Sequence, residues 1–185
     1  MTLEILLSRL VPALERAQIL YMLTGSVASS AHGVPRATRD LDIVIAPTNA
    51  QLTALIEQLP SSDYYADENQ AQQALANRGQ FNVIDFATGW KIDFIIAEGS
   101  DYGHTAINRR RLIDIAGTNV YVASAEDVLI AKLQWVKMGA SDRQLQDSAG
   151  ILCIQGSNLD VAYVERWVRE LRLEKQWEAV RAGTP

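Results

Sequence analysis

Two aspartates, Asp40 and Asp42, alternate with apolar residues in the sequence DLDIVI of residues 40–45. On a β-strand, residues i and i+2 point to the same face, so both carboxylates project together and the apolar residues project to the opposite face. Like charges this close raise each other's pKa, and a divalent cation removes that conflict. Mg²⁺ prefers such hard oxygen ligands, completed by substrate phosphates. The pair is a candidate metal site, although such a strand is also typical of a charged sheet edge.

A third carboxylate, Asp93, interrupts the apolar sequence KIDFII of residues 91–96. An acid in the middle of an apolar strand needs a partner or a metal, because burying an unpaired charge is costly. If this strand lies beside the first, three carboxylates can hold two metals for phosphoryl-type transfer. Asp85, in the sequence VIDF of residues 83–86, is the alternative third acid.

A Gly25-Ser26 turn precedes the acidic strand and joins a short apolar run to a predicted short helix. Glycine lets the backbone approach a ligand closely, and the helix N-terminus with Ser26 offers donors for phosphate oxygens. The structural alternative is a plain strand-to-helix turn in which Ser26 is the N-cap.

Basic residues with an assignable role are few in this sequence. Arg36 and Arg39 flank the approach to the acidic strand and can orient phosphate oxygens, or they can be solvent-facing loop residues. Lys132 lies on an apolar helical stripe, where it either extends to solvent or meets an anion in the cleft. The run 109–111, three arginines, is interpreted as a solvated face rather than a nucleic-acid contact.

Together, the small-residue turn, the acid-apolar-acid strand and the later single acid resemble the DNA polymerase β-like nucleotidyltransferase superfamily. The sequence TGSVASSAHGVPRATRDLDI, residues 24–43, is similar to AbiEii-type abortive-infection nucleotidyltransferases and their relatives. That branch also carries a Ser-x-Glu-Asp-Leu-like segment leading to a Lys-Leu pair, which here is SAEDVLIAKL, residues 124–133. The resemblance covers about residues 18–150.

The resemblance implies an enzyme that binds an NTP with Mg²⁺ or Mn²⁺ and transfers its nucleotidyl group. The acceptor would be RNA, such as tRNA, or a protein, and some members are toxins with an antitoxin partner. Carried over to this sequence, Asp40, Asp42 and Asp93 hold metal and activate the acceptor. The residues that would bind the nucleotide are Gly25, Ser26, Arg36, Arg39 and Lys132. The alternatives are a catalytically silent nucleotide- or partner-binding member and a small-molecule (antibiotic) nucleotidyltransferase.

One element departs from the toxin branch, which tends to have a Lys-Asp-x-x-Asp-like element after the lysine helix. The corresponding stretch here is SDRQLQD, residues 141–147, which retains Arg143 and Asp147 but lacks the inner Lys-Asp pair. At i, i+4 spacing on a helix the two retained residues are expected to form a surface ion pair. The departure bears on toxin activity more than on the fold, and it motivates the silent alternative.

Hydrophobic periodicity predicts the elements that position these residues. Helices are expected at 3–17, 26–31, 48–59, 66–77, 124–138, 142–154, 158–171 and 173–181, and strands at 19–23, 41–45, 81–86, 91–96 and 119–122, with 81–96 as a hairpin. The fold class is therefore α+β, a mixed sheet with flanking helices followed by a helical C-terminal part. The predicted domains are a nucleotidyltransferase core at 1–122 and a helical subdomain at 123–185.

Composition narrows the class of protein further. Hydrophobic residues make up 48% and charged residues 21%, which is ordinary for a globular protein. The net charge of −5 argues against a nucleic-acid binder that relies on overall charge. The one cysteine, Cys153, is expected to be a buried thiol. With no apolar run of about 20 residues, we expect a cytoplasmic protein without a membrane partner; the oligomeric state is not indicated.

Overall fold

The computed structural model describes residues 2–139 and 142–183. Within them, the strands are β1 Leu20–Thr24, β2 Asp40–Ala46, β3 Tyr64–Ala66, β4 Gln80–Asp85, β5 Lys91–Ile96, β6 Arg111–Ile115 and β7 Thr118–Val122. They form one mixed sheet in the order β3-β4-β5-β2-β1-β7-β6. The central strand β2 runs antiparallel to β1 and parallel to β5.

Nine α-helices accompany the sheet in the described part of the chain. They are α1 Thr2–Arg16, α2 Gly25–His32, α3 Asn49–Glu57, α4 Glu68–Asn77, α5 Asp101–Asn108, α6 Ala125–Lys137, α7 Asp142–Gln155, α8 Val161–Glu170 and α9 Glu174–Ala182, with a short 3₁₀ helix at Gly156–Asn158. The described chain after β7 is therefore helical, as the sequence predicts.

The two faces of the sheet have different character because side chains alternate along each strand. On β2, Leu41, Ile43 and Ile45 are fully buried on one face, which α1, α3 and α4 cover. The other face carries Asp42, and α2, α5 and α6 lie over it. The apolar face holds most of the core, which leaves the opposite face available for polar chemistry.

Helix caps fix where two of these helices begin. The Thr48 hydroxyl accepts from the backbone N–H of Gln51, whose side chain accepts in return from the backbone of Thr48, so α3 starts where the sequence predicts. The Ser124 hydroxyl accepts from the backbone N–H of Asp127 at the start of α6. Helix α6 therefore begins at Ala125, directly after its capping residue.

The predicted fold class is confirmed, and so is the antiparallel pairing of β4 with β5. The sequence patterns missed β3, α5 and β6, which are short elements. Two of them are strands that depend on a neighbour: β3 pairs with β4, and β6 with β7. Periodicity is weak in such short segments, so tertiary pairing decides them. The division into domains at 1–122 and 123–185 stays a prediction.

Two local expectations are wrong. Cys153 is exposed rather than buried, because the apolar run that contains it lies on α7, where successive residues point in different directions. The expectation of a solvated arginine run is wrong for two of its three residues, since Arg111 is exposed but Arg109 and Arg110 are half-buried. The Arg109 guanidinium lies 3.9 Å from the centre of the Tyr163 ring, and the Arg110 guanidinium 4.5 Å from that of Tyr121.

No helix within 2–139 or 142–183 has both the length and the apolar character needed to cross a bilayer.

Asp85, the alternative third acid, lies on the apolar face of the sheet. It is fully buried, and its carboxylate accepts from Arg9 of α1 at 3.0 Å and from the backbone N–H of Thr88 at 3.1 Å. The Arg9 guanidinium also reaches the exposed Asp63 at 3.2 Å. Asp85 therefore joins α1 to the β4–β5 turn, on the opposite side of the sheet from Asp42.

Asp85 and Asp63 share one arginine but differ in burial, which makes a matched pair of variants. We expect Asp85→Asn to lower the free energy of unfolding by about 1–3 kcal/mol, because a buried charged hydrogen-bond partner is lost. Asp63→Asn should cost roughly 0–1 kcal/mol, as exposed ion pairs do. Urea denaturation measures both, and equal losses would contradict the structural role of Asp85.

Candidate functional site

The acidic site is built by the register of two parallel strands. Asp42 of β2 lies directly opposite Asp93 of β5, and on its other side it faces Thr24 of β1. Asp40 begins β2, is exposed, and lies opposite Lys91. The Lys91 ammonium is 2.8 Å from Oδ2 of Asp93, a contact that raises the pKa of Lys91. The three predicted acids therefore lie on one sheet face.

Gly25 makes room for Asp42. Its φ is +62°, in the left-handed region, and a Cβ placed there would lie 1.9 Å from Oδ2 of Asp42. Any larger side chain would collide with that carboxylate. Glycine is thus required here both for backbone conformation and for the close approach of strand β2 to the start of α2.

The backbone N–H of Ser26 donates to Asp42, so the first turn of α2 is directed at the acidic site. The N-cap of α2 is Thr24 rather than Ser26, which corrects the structural alternative for this turn. The Ser26 hydroxyl is held instead by the guanidinium of Arg36.

Asp42 is partly buried, and this burial raises the pKa of its carboxyl above the usual range. The negative charges of Asp93 and Asp40 raise it further, whereas the Ser26 N–H and the Lys132 ammonium oppose the shift. A carboxylate under this repulsion gains from a nearby cation, because the cation favours its charged form.

Lys132 does not reach solvent; only 3% of its side chain is exposed. Its ammonium donates to Asp147 at 2.7 Å and to Gln144 at 3.0 Å, both on α7. Burial lowers the pKa of Lys132, and the contact with Asp147 counteracts that shift. Of the two alternatives for this lysine, the structure shows the contact with an anion.

Arg36 shares the same anion. Its Nε lies 3.3 Å from Oδ2 of Asp147, so this carboxylate holds two cations close to Ser26. Asp147 therefore contacts Lys132 and Arg36 of other elements rather than serving as the surface partner expected for Arg143. Arg39 lies apart from this network, exposed just before β2, and its carbonyl accepts from the backbone of Lys91.

A cavity of about 630 Å³ opens beside these residues, between the sheet face and helices α5 and α6. Gly25, Ser26, Asp42 and Lys132 are among the residues that line it. Apolar side chains also line it, among them Met22, Val44, Val128 and Trp135. The cavity thus combines polar and apolar walls, which is typical of small-molecule sites.

The donor set fits a divalent cation of the magnesium type. No group of three or more His, Cys, Asp or Glu side chains within the described ranges converges on one point. Mg²⁺, however, needs only one or two protein carboxylates when substrate phosphates complete its coordination. Asp42 and Asp93, side by side and repelling each other, supply that number.

The sequence patterns left the roles of two residues at this site unassigned. Lys91 carried a usable signal, since the alternation of residues 91–93 places it on the same face as Asp93. Asp147 was noted as the retained acid of the toxin-branch element, but its contacts with Lys132 and Arg36 could not be predicted, because they depend on the packing of α7 on α6 and α2. His32 is structural: its Nε2 lies 2.7 Å from the carbonyl oxygen of Ala123.

Comparison with known proteins gives structural matches only. No family model matches the chain, and no curated protein sequence matches it significantly. Among solved structures, the crystal structure of ANT(2'')-Ia in complex with adenylyl-2''-tobramycin is similar over 98% of both chains, with a TM-score of 0.62 and 14% identity. The solution structure of the same antibiotic-resistance factor covers 94% of this chain and 97% of its own, with a TM-score of 0.59 and 14% identity.

A third similar structure is an antigenic nucleotidyltransferase-like protein from Paracoccidioides brasiliensis. It covers 96% of this chain and 92% of its own, with 17% identity and a TM-score of 0.55. The chain has the nucleotidyltransferase fold. At these identities the likeness concerns the fold alone, and the narrower resemblance to the AbiEii branch stays a prediction.

Gly25→Ala tests the close approach at the acidic site, with Gly89→Ala as the matched control. Both glycines have positive φ, but a Cβ on Gly89 would meet nothing within 4 Å. The control should lose about 1–2 kcal/mol of unfolding free energy from the backbone alone. Gly25→Ala should lose roughly 1–3 kcal/mol more, because the new methyl overpacks against Asp42. Denaturation by urea gives both values, and indistinguishable losses would refute the steric requirement.

The raised pKa of Asp42 predicts a pH dependence of stability without metal. For a group whose pKa is higher in the folded state, the stabilising contribution is complete below the unfolded value, near 3.8, and is lost as pH rises through the folded value. Asp42→Asn removes this loss of stability at higher pH, because the amide of Asn carries no charge. We therefore expect the variant to be more stable than the wild type at pH 7 in EDTA, with a difference that shrinks towards pH 4.

Urea denaturation at several pH values measures this difference. Glu57→Gln, which removes one exposed charge from α3, is the control for net charge. A wild type that is more stable than Asp42→Asn at pH 7 would contradict the repulsion between Asp42 and the neighbouring carboxylates of Asp93 and Asp40.

Proposed function

We propose that this protein is a nucleotidyltransferase, which moves NMP from an NTP to an acceptor hydroxyl with the help of Mg²⁺ or Mn²⁺. The observation that carries the proposal is the placement of Asp42 beside Asp93, at the N-terminal turn of α2 where Gly25 leaves room for the carboxylate. The similarity of the whole chain to structures of nucleotidyltransferases supports it.

Asp42 and Asp93, with Asp40 at the strand start, would hold the metal. When bound, the metal neutralises phosphate charge and lowers the pKa of a coordinated hydroxyl. The Ser26 N–H already donates to Asp42, but the dipole at the N-terminus of α2 favours negative charge beside it, which suits a phosphate group. The part of the cavity next to Gly25 and Ser26 is thus suited to a triphosphate.

Lys132 and Arg36 supply positive charge for the same triphosphate. Both are already held by Asp147, so their positions are fixed before a nucleotide arrives and little side-chain entropy remains to be lost. The Arg36 guanidinium can donate two hydrogen bonds to phosphate oxygens, whereas the Lys132 ammonium acts on them as a compact point charge. Arg39, also predicted to bind nucleotide, is exposed beside β2 and would act only at the outer edge of the site.

In the proposed reaction the acceptor oxygen attacks the α-phosphorus in line, and the bond from that phosphorus to the oxygen bridging the β-phosphate breaks. Pyrophosphate leaves with the bonding electron pair. Asp93 accepts the proton of the acceptor hydroxyl, since it is the acid next to Asp42 on the neighbouring strand. The products are the nucleotidylated acceptor, pyrophosphate and a proton.

For the acceptor we propose RNA, such as tRNA, or a protein, with action as a toxin of a toxin–antitoxin pair as the narrower form. ANT(2'')-Ia, seen with adenylyl-2''-tobramycin, shows that this fold also accommodates a small-molecule product. A small-molecule acceptor and a silent nucleotide-binding protein are therefore the alternatives that the experiment must separate. A neighbouring gene for a small DNA-binding protein would favour the toxin form.

The test incubates the protein with each labelled NTP, Mg²⁺ or Mn²⁺, and total tRNA, and follows label into RNA or the protein itself. We expect transfer with at least one NTP. Asp42→Asn and Asp93→Asn should each lower the rate by about 10²–10⁴-fold, the usual contribution of a positioned acid or base. Glu57→Gln, an exposed acid on α3, should leave it unchanged.

Three outcomes decide among the alternatives. Nucleotide binding without transfer to RNA, protein or a panel of hydroxylated small molecules would favour the silent form. Transfer to a small molecule alone would favour the antibiotic-type enzyme. Neither transfer nor metal-dependent binding of any NTP would refute the proposal, and full activity in Asp42→Asn would refute the site.

A further inference from the structure

The acidic face of the sheet continues past the candidate metal site onto β4 and β3. Asp40 of β2 lies opposite Lys91 of β5, and Lys91 lies opposite Ile84 of β4. Ile84 lies in turn opposite Tyr65 of the edge strand β3. Residues paired across neighbouring strands have side chains on the same face. One row of side chains therefore leads from the acidic site to the edge of the sheet.

Within residues 2–139 and 142–183, the outer half of this row is open to solvent. Tyr65 is 45% exposed and Ile84 40%, although both are large apolar residues. The side chain of Lys91 is 46% exposed. Neighbouring strands are about 5 Å apart, so an aromatic ring, an aliphatic side chain and an ammonium lie side by side. Exposed apolar side chains grouped in this way mark a binding surface.

Asp93 has different surroundings on its two sides. On one side lies Asp42, which lines the cavity in which we place the nucleotide. On the other side lies Asn82 of β4, which starts the open part of the face. An acceptor that gives its proton to Asp93 must approach from the side that the nucleotide leaves free. The acceptor therefore reaches Asp93 over β4 and β3.

The chemistry of this surface favours a single-stranded nucleic acid. Small-molecule sites are concave and enclose most of their ligand, whereas this face is open. A peptide that adds to the sheet needs a longer edge than β3, which has three residues. An exposed aromatic ring on a sheet is suited to stacking an unpaired base, and the Asn82 amide can both donate to and accept from a base edge.

Lys91 can bind a phosphate without leaving Asp93. An ammonium has three donors, and the contact with Asp93 at 2.8 Å uses one of them. Because the side chain is half exposed, its other donors can meet a phosphate oxygen from solvent. A divalent cation at the neighbouring carboxylates offsets their repulsion of the RNA backbone.

Resting on the proposed function, we propose that the open sheet face of Tyr65, Ile84 and Lys91 binds the single-stranded 3′ end of an RNA acceptor. The terminal base stacks on Tyr65 beside Ile84, and Lys91 holds the adjoining phosphate. The terminal ribose hydroxyl then lies next to Asp93. Its proton goes to Asp93, its oxygen forms the bond to the α-phosphorus, and pyrophosphate leaves with the electron pair of the broken bond.

The experiment measures binding of a short single-stranded RNA, labelled with fluorescein at its 5′ end, by fluorescence anisotropy. It uses the full-length protein with Mg²⁺ and non-hydrolysable α,β-methylene ATP, then the GTP, CTP and UTP counterparts. Tyr65→Ala should raise the Kd roughly 5- to 150-fold, the contribution of one stacked base. Tyr65→Phe, which keeps the ring, and Leu112→Ala, an exposed apolar residue on the opposite edge strand β6, should bind like the wild type.

Two further measurements assign the contacts. An RNA whose 3′-terminal nucleotide lacks its base should bind the wild type as weakly as intact RNA binds Tyr65→Ala. It should lose nothing further on that variant, because both changes remove the same contact. Lys91→Met should reduce the slope of log affinity against log salt concentration by about 0.7, the effect of one lost phosphate contact on a single strand.

The outcomes separate this inference from the proposed function. Equal RNA binding by the wild type and Tyr65→Ala, additive losses with the abasic RNA, or an unchanged salt slope in Lys91→Met would each overturn the inference. Nucleotide transfer by a protein that does not bind RNA would overturn it too, while the proposed function stands. Binding of RNA through Tyr65 without any binding or transfer of nucleotide would refute the proposed function alone. If circular dichroism shows that Tyr65→Ala is unfolded, the abasic RNA still decides on the wild type, since equal binding of both RNAs contradicts the stacking.

Discussion

The in-register pairing of β2 with β5 is the constraint on which the rest of the site depends. It sets Asp42 beside Asp93, and the two carboxylates repel across one strand spacing. Three nearby groups counteract this repulsion: the Ser26 N–H donates to Asp42, Lys91 pairs with Asp93, and the Lys132 charge acts on Asp42 from α6. The site is thus an acidic centre surrounded by fixed positive partial and full charges.

The surrounding elements keep this arrangement rigid. Leu41 and Ile43 anchor β2 in the apolar core, so the acidic face cannot rotate away from its neighbours. Gly25 allows α2 to start in contact with the carboxylate of Asp42. Such rigidity matters for phosphoryl-type transfer, where catalysis comes mainly from positioning and from charges placed in advance.

Asp147 ties the helical C-terminal part to this centre. Its carboxylate joins Lys132 of α6 and Arg36, which precedes β2, and it does so while only 9% exposed. A displacement of α7 would release two cations at once beside the cavity. The helices after β7 therefore contribute to the candidate site.

The sequence alone was sufficient for the features that follow from local spacing. Alternation placed Asp40 and Asp42 on one face of a strand, and periodicity predicted a helix from residue 48, where Thr48 caps α3. It left open whether Asp93 or Asp85 is the third acid, because both lie in similar apolar strands. Only the tertiary structure decided that choice, since strand register and face depend on which strands pair: Asp93 lies beside Asp42, and Asp85 lies in the core with Arg9. The partners of Lys132 were decided in the same way, because Asp147 is 15 residues away along the chain and reaches Lys132 only where α7 packs back on α6. Local spacing fixes direction within one element, whereas contacts between elements are set by packing.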